Sequence, residues 1–208
     1  MSSSNHSPLN LPVKPLLLVL SGLSGAGKDA VLTSMKESGY PLEYIMTVTT
    51  RPQRAYERDN VDYHFISTQE FQLMIERDEL LEWARVYGNW YGVPKPPVKQ
   101  ALARGKDIMI KVDVQGVANI KKVLPQAVFI FLAPPSIEEL ILRLKHRGSE
   151  SPSSLALRTR TAQEELKRLP LFDYIVFNRP DEIERAAADI GAIVAAEKCR
   201  VAPREISL

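Results

Sequence analysis

Leu16-Leu17-Leu18-Val19-Leu20-Ser21-Gly22-Leu23-Ser24-Gly25-Ala26-Gly27-Lys28-Asp29 decides the fold of this chain. The five apolar residues Leu16 to Leu20 read as a strand buried in a parallel sheet. The glycines that follow read as a tight turn, and a helical pattern runs from Ala30 to Lys36. Strand, glycine-rich turn, lysine and helix together hold a nucleotide phosphate. Glycines let successive backbone N–H groups curl around an anion, and the helix start adds its positive dipole end. Lys28 supplies a point charge for the outer phosphates. Gly22, Leu23, Ser24, Gly25, Ala26, Gly27, Lys28 and Asp29 are therefore expected to bind a nucleoside triphosphate. The usual form of this loop ends in Ser or Thr, whose hydroxyl binds Mg²⁺, and here Asp29 stands in that place.

Working outward, strand-like runs alternate with helical ones, which argues for a parallel sheet with helices on both faces. The expected strands are Leu16–Ser21, Glu43–Thr47, Ile108–Val112, Ala127–Leu132 and Tyr174–Phe177. Ile137, Leu140, Ile141 and Leu144 fall at i, i+3, i+4 and i+7, one apolar face of a helix over Ile137 to His146. Ile183, Ala187, Ile190 and Val194 repeat that pattern near the end. Two segments interrupt the alternation. Thr47 to Lys95 is rich in aromatic and charged residues and reads as a small subdomain with short strands and one helix, Thr68 to Arg77. Gly148 to Ser154 is serine-rich and is bordered by Arg143, Arg147, Arg158 and Arg160, the layout of a lid.

Composition narrows the functional classes. With 208 residues, 45% of them hydrophobic and 25% charged, the chain has the make-up of one globular domain. A formal net charge of +2 gives no reason to expect a nucleic-acid surface. The single cysteine, Cys199, excludes an internal disulfide and a cysteine-based metal site. No apolar run is long enough to span a membrane, and the polar start, Met1 to Lys14, lacks the layout of a signal peptide. It is expected to be a flexible tail, and the protein cytoplasmic.

Chemistry concentrates after the phosphate loop. Arg51 and Arg54, three residues apart beside Pro52, can converge on one phosphate with forked donors. Glu57, Tyr63, Glu82 and Tyr91 lie in the same subdomain; a carboxylate can read the N–H edge of a purine, and tyrosine hydroxyls can bond phosphate oxygens. Asp113 follows a predicted central strand, at the end where open α/β sheets place ligand groups.

From about Pro15 to Lys198 the chain resembles a guanylate kinase. The resemblance is carried by Gly22–Asp29, Thr49-Thr50-Arg51-Pro52-Gln53-Arg54, Asp62-Tyr63-His64-Phe65, Glu82-Trp83-Ala84, Gly88-Asn89-Trp90-Tyr91-Gly92, Val112-Asp113-Val114-Gln115-Gly116, the segment from Phe129 to Ser136, and Asp173 to Asn178. It implies an α/β P-loop NTPase fold of three layers around a parallel five-stranded core sheet. To this are added a small mixed β/α GMP-binding subdomain over 47–96 and a lid over 143–158. The core would be 15–46, 97–142 and 159–208, after the tail 1–14.

The resemblance also implies the reaction: transfer of the γ-phosphoryl group of ATP to GMP or dGMP, with Mg²⁺ carried by ATP, in a monomer or homodimer. Arg51, Arg54, Tyr63 and Tyr91 would hold the acceptor phosphate, with Glu57 among the GMP-binding residues. Glu82 would read guanine N1–H and the 2-amino group, Thr47 would stand near O6, and Asp113 would order the far side of the base. Lys28 would hold the transferring phosphoryl group, and Arg143, Arg147 and Arg158 would close over ATP from the lid.

Four positions depart from the family pattern: Asp29 for the loop Ser or Thr, Val93 for a Ser or Thr, Lys111 for an acidic residue, and Tyr56 for a Gly. Asp29 is expected to replace the missing hydroxyl as a metal-shell residue. The combination resembles a branch found in plastid and some bacterial enzymes. The second reading is a non-catalytic guanylate-kinase-like module that binds phosphopeptides. Lys28 and the lid arginines argue against it, as does a length that leaves no room for a companion domain.

Overall fold

The computed structural model describes residues 14–55, 57–86, 88–146 and 152–208, and for 146 and 152–158 it describes the backbone. A five-stranded sheet is formed by β1 (Leu17–Gly22), β2 (Glu43–Ile45), β7 (Ile108–Lys111), β8 (Val128–Ala133) and β9 (Tyr174–Phe177). Its order is β2-β7-β1-β8-β9, and every neighbouring pair is parallel. All six residues of β1 are buried, as an unbroken apolar run at the sheet centre requires.

Successive side chains of β1 point to opposite faces and so build two cores. Leu18 and Leu20 pack with Val31 and Met35 of α1 (Lys28–Glu37), Leu140 and Leu144 of α5 (Ile137–His146), and Ile190 of α7 (Ile183–Lys198). Leu17 and Val19 pack on the other face with Val98 of α3 (Lys95–Ala103) and Val117 and Ile120 of α4 (Val114–Val123). Helices on both faces of a parallel sheet make the three layers the sequence implied. A further helix, α6 (Pro152–Leu166), lies between α5 and β9 in the chain.

The expected strand Glu43–Thr47 ends early: β2 covers Glu43–Ile45 at the edge of the core sheet, and Val48–Thr49, beyond the expected end, forms β3 of a second sheet. At the crossing Thr47 is buried, and its hydroxyl donates to the Lys111 carbonyl at 3.0 Å. The second sheet also contains β4 (His64–Phe65), β5 (Leu80–Val86) and β6 (Asn89–Pro94), in the order β4-β3-β6-β5. It is mixed: β3 pairs parallel with β4 and antiparallel with β6. Helix α2 (Thr68–Glu76) covers it, started by a reciprocal capping box between Ser67 and Glu70. Val48, Phe71 and Leu80 form a separate small core, with Trp90 stacked on Phe71 and Trp83 edge-on to Trp90. Of the helices not expected from the sequence, α3 starts directly after β6 with prolines in its first turn, and α4 is opened by an Asp113 cap.

Candidate functional site

One cleft collects groups from the phosphate loop, from the C-terminal end of β7 and from the second sheet. Lys28, Asp29, Arg51, Arg54, Thr47, Tyr63, Glu82, Tyr91, Lys111 and Asp113 all line it. It lies where strand ends of an open α/β sheet generate ligand sites.

The loop runs from the end of β1 to the first turn of α1. Gly27 sits there at φ 92°, and a β-carbon on it would fall 2.4 Å from Asn178 Nδ2. Neither the conformation nor the space admits a side chain. No side chain caps α1, so the N–H groups of its first turn are available to an anion. Leu23 and Ala26 are buried in the core, which leaves only their backbone to a nucleotide. Lys28 Nζ donates to the Gly22 carbonyl at 2.7 Å and the Leu23 carbonyl at 3.1 Å. Burial pushes the Lys28 ammonium below its ordinary value, opposed by Asp113, Glu165 and Asp29.

Three residues that the sequence reading gave no role hold this loop. Asn178 Nδ2 donates to the Ala26 carbonyl at 2.8 Å. Glu165 of α6 accepts from the Ser24 N–H at 3.3 Å, and burial, then Asp113, push its carboxyl up to about 7. Glu139 holds Arg143 Nε at 2.6 Å. Arg143 itself donates to the Ala26 and Asn178 carbonyls, at 3.3 and 2.9 Å, and so ties α5 to the loop. Asn178 lies in a segment that carried the family resemblance; nothing in the local pattern marks Glu165. Arg147 and the side chain of Arg158 lie outside the described residues, as do the rest of 147–151 and the other side chains of 146 and 152–158 in the expected lid.

The arginine pair is organised by Glu57. Arg51 Nη2 donates to both Glu57 carboxylate oxygens, at 2.8 and 3.0 Å, and Arg51 Nε donates to the Tyr91 hydroxyl at 3.2 Å. The same carboxylate accepts from the Arg54 N–H at 2.9 Å. Burial would raise the Glu57 carboxyl, but the Arg51 hydrogen bonds and the Arg54 N–H outweigh it and hold it below its ordinary value. Glu57 thus orients the cations. The Tyr63 ring stands edge-on to Tyr91 and under the Arg51 guanidinium. Arg54 remains two-fifths exposed, with a guanidinium able to swing toward an anion.

Glu82 is different in kind. It is buried, and its Oε1 has no hydrogen-bond partner. Burial, then the neighbouring Asp113, push its carboxyl up to about 8. The strand register shifts between Leu80 and Glu82, which turns Glu82 inward after two buried leucines. Gly116, in the first turn of α4, leaves the space its carboxylate occupies: a β-carbon there would be 2.3 Å from Oε1. Asp113 caps the same helix through the Gln115 N–H at 3.1 Å. A buried carboxyl without partners is costly, so this one is set up for donors that arrive with a ligand. Thr47 has given its only hydroxyl proton to Lys111, so toward a ligand it presents acceptor lone pairs.

Comparison with known proteins agrees with this geometry. The family model for guanylate kinase matches residues 14–197. Guanylate kinase 2, chloroplastic/mitochondrial, of Oryza sativa is 43% identical over 98% of this chain and 72% of its own length. The guanylate kinase of Carboxydothermus hydrogenoformans is 43% identical over 90% of this chain and 91% of its own. Among solved structures, the guanylate kinase of Anaplasma phagocytophilum superposes with a TM-score of 0.73 at 28% identity, covering 92% of this chain and 90% of that one. No helix among the described residues is long and apolar enough to cross a membrane.

Proposed function

The chain belongs to the guanylate kinase family and is an ATP:GMP phosphotransferase, and we propose that the cleft described above holds both substrates during the transfer. ATP phosphates lie along the loop from Gly22 to Asp29, where Lys28 exchanges its loop carbonyls for phosphate oxygens. The acceptor phosphate is held by Arg51, Arg54, Tyr63 and Tyr91, and Glu57 keeps the arginines aimed. The guanine enters beside Glu82. Residues 47–96 act as the acceptor subdomain, and 143–158 as the lid that excludes water over ATP.

Phosphoryl transfer of this kind rests on positioning and charge neutralisation, not on a covalent enzyme intermediate. Mg²⁺ suits the oxygen donors present. The described residues contain no cluster of three potential metal ligands, but Asp29 and Asp113 line the cleft, and Mg²⁺ typically takes one or two carboxylates plus phosphate and water. Asp29 and Asp113 would hold it, and it would neutralise charge on the ATP phosphates.

The observation that carries the guanine assignment is the buried Glu82 carboxyl, whose Oε1 has no hydrogen-bond partner. Guanine offers it N1–H and a 2-amino group; adenine offers neither. A coupled assay of ADP release with ATP and a panel of nucleoside monophosphates tests this. GMP and dGMP should turn over, and AMP, CMP and UMP at least about tenfold less, because an unpaired buried carboxyl costs roughly 1–3 kcal/mol. Equal turnover of AMP and GMP refutes the assignment.

The same carboxyl sets a pH dependence. At neutral pH it is largely protonated in the free protein, whereas guanine donors favour the carboxylate. GMP binding should therefore release a proton, and affinity should rise with pH until about 8. Folding stability runs the other way. The folded value lies above the ordinary 4.5, so the contribution of Glu82 to stability is complete below 4.5 and is lost as pH rises toward 8. Glu82→Gln should stabilise the free protein at pH 8 while weakening GMP binding. Calorimetry in two buffers of different ionisation enthalpy reads the released proton; a buffer-independent enthalpy in the wild type contradicts the coupling.

A further inference from the structure

Lys111 has no part in the transfer as described so far, yet it stands at the junction of the two substrate regions. It is the last residue of β7, paired in register with Leu20 of β1, and its carbonyl is fixed by the Thr47 hydroxyl. Its ammonium forms an ion pair with Asp29 in the first turn of α1. It also lies 3.8 Å from the centre of the Tyr63 ring. One partner therefore belongs to the loop for donor phosphates, and the other to the residues for the acceptor phosphate. The Lys111 side chain is only 12% exposed. Stability is a poor reason to keep such a pair, because the ammonium is desolvated while the Asp29 side chain is 59% exposed, so its attraction is screened by water and offset by the burial cost of Lys111. The transfer supplies a better one. Negative charge gathers where the two phosphates meet, and a cation fixed at that point stabilises it without reorganisation.

We propose that Lys111 is a catalytic cation of the phosphoryl transfer, contacting phosphate oxygens where donor and acceptor meet, and that Asp29 is its positioning residue. In the step, an oxygen of the GMP phosphate forms a bond to the γ-phosphorus. The bond from that phosphorus to the β–γ bridging oxygen breaks, its electron pair leaving with ADP. Lys111 keeps its proton throughout. Asp29 sets the height and direction of the ammonium; its carboxylate has lone pairs enough to serve Lys111 and a hydrated metal together. The inference rests on the assignment of the cleft as the ATP–GMP site.

The test uses the full chain with ATP, GMP and varied Mg²⁺. Lys111→Met should lower kcat at least about fivefold at saturating substrates while the GMP KM moves less than about threefold, and Lys111→Arg should recover part of the loss. At saturating Mg²⁺, Asp29→Asn should lower kcat in the wild-type background and cost far less in the Lys111→Met background, the signature of a residue acting largely through another. A kcat for Lys111→Met within about fivefold of wild type overturns the proposal. So does an Asp29→Asn loss that is equal in both backgrounds and accompanied by a higher Mg²⁺ requirement, which would make Asp29 a metal residue only. Thermal unfolding checks each variant. If Lys111→Met does not fold, unchanged kcat in both Lys111→Arg and Asp29→Asn overturns the proposal instead. A wild-type protein inactive on GMP would overturn the assignment of the site itself; an active wild type with an equally active Lys111→Met overturns this inference alone.

Discussion

Arg51→Ala is expected to lower kcat/KM for GMP by about a hundredfold to a thousandfold, on the order of 3–4 kcal/mol of transition-state binding. Two losses combine. The acceptor phosphate loses forked, charge-assisted hydrogen bonds, worth about 1.5–3 kcal/mol. The buried Glu57 carboxylate loses its main partner, and an uncompensated buried charge disturbs the position of Arg54, whose N–H it also holds. The unfolding temperature should fall as well, since Glu57 is only 7% exposed and its ionisation is supported by Arg51. Arg51→Lys should recover little. Nε serves Tyr91, Nη1 the Pro52 carbonyl and Nη2 Glu57, a planar division of donors that an ammonium cannot copy. Steady-state kinetics with GMP varied, beside ATP affinity measured directly, checks this. A GMP affinity unchanged in Arg51→Ala removes the clamp from the account.

Gly116→Ala is expected to raise the GMP KM by about tenfold to a hundredfold with little loss of fold stability. The added β-carbon would lie 2.3 Å from Glu82 Oε1 and 2.5 Å from its carboxyl carbon, so the carboxylate must move. It is the far end of a flexible side chain, and its displacement strains little backbone. Alanine also suits a helix interior better than glycine. The cost therefore falls on guanine recognition. Unfolding temperature, GMP KM and ATP KM distinguish this from general damage: only the GMP value should move. An unchanged GMP KM would mean that Glu82 does not read the base from the position it occupies here.

Gly116 also marks the limit of a local reading. In the sequence it is one glycine in a helical stretch, with no visible link to Glu82. The register shift in β5 and the packing of α4 on that strand bring the two together. Glu57 is a similar case. Its residue type and its neighbourhood to Arg51 and Arg54 were legible, but its place as the anchor of both arginines was not. That depends on a tight turn, closed by the Glu57 N–H on the Arg54 carbonyl, that buries the carboxylate under them. The departures at Asp29 and Lys111 were each visible singly. Their pairing, across 82 residues, was not.

The sequence by itself determined the phosphate loop, the parallel core sheet and the end of it where ligands bind. These follow from short-range patterns: an apolar run, glycines that allow left-handed backbone, a lysine at a set distance and a helix start. Each is encoded within a few residues, because the backbone there answers mainly to local sterics and hydrogen bonding. Tertiary structure alone decided which charges neutralise one another and which are left for substrate. Asn178 reaches Ala26 across 152 residues, Lys111 reaches Asp29, and Glu82 is left with a buried oxygen and no partner. Coulomb attraction and desolvation depend on distances of a few ångströms and on burial. Those quantities do not exist until the chain has folded.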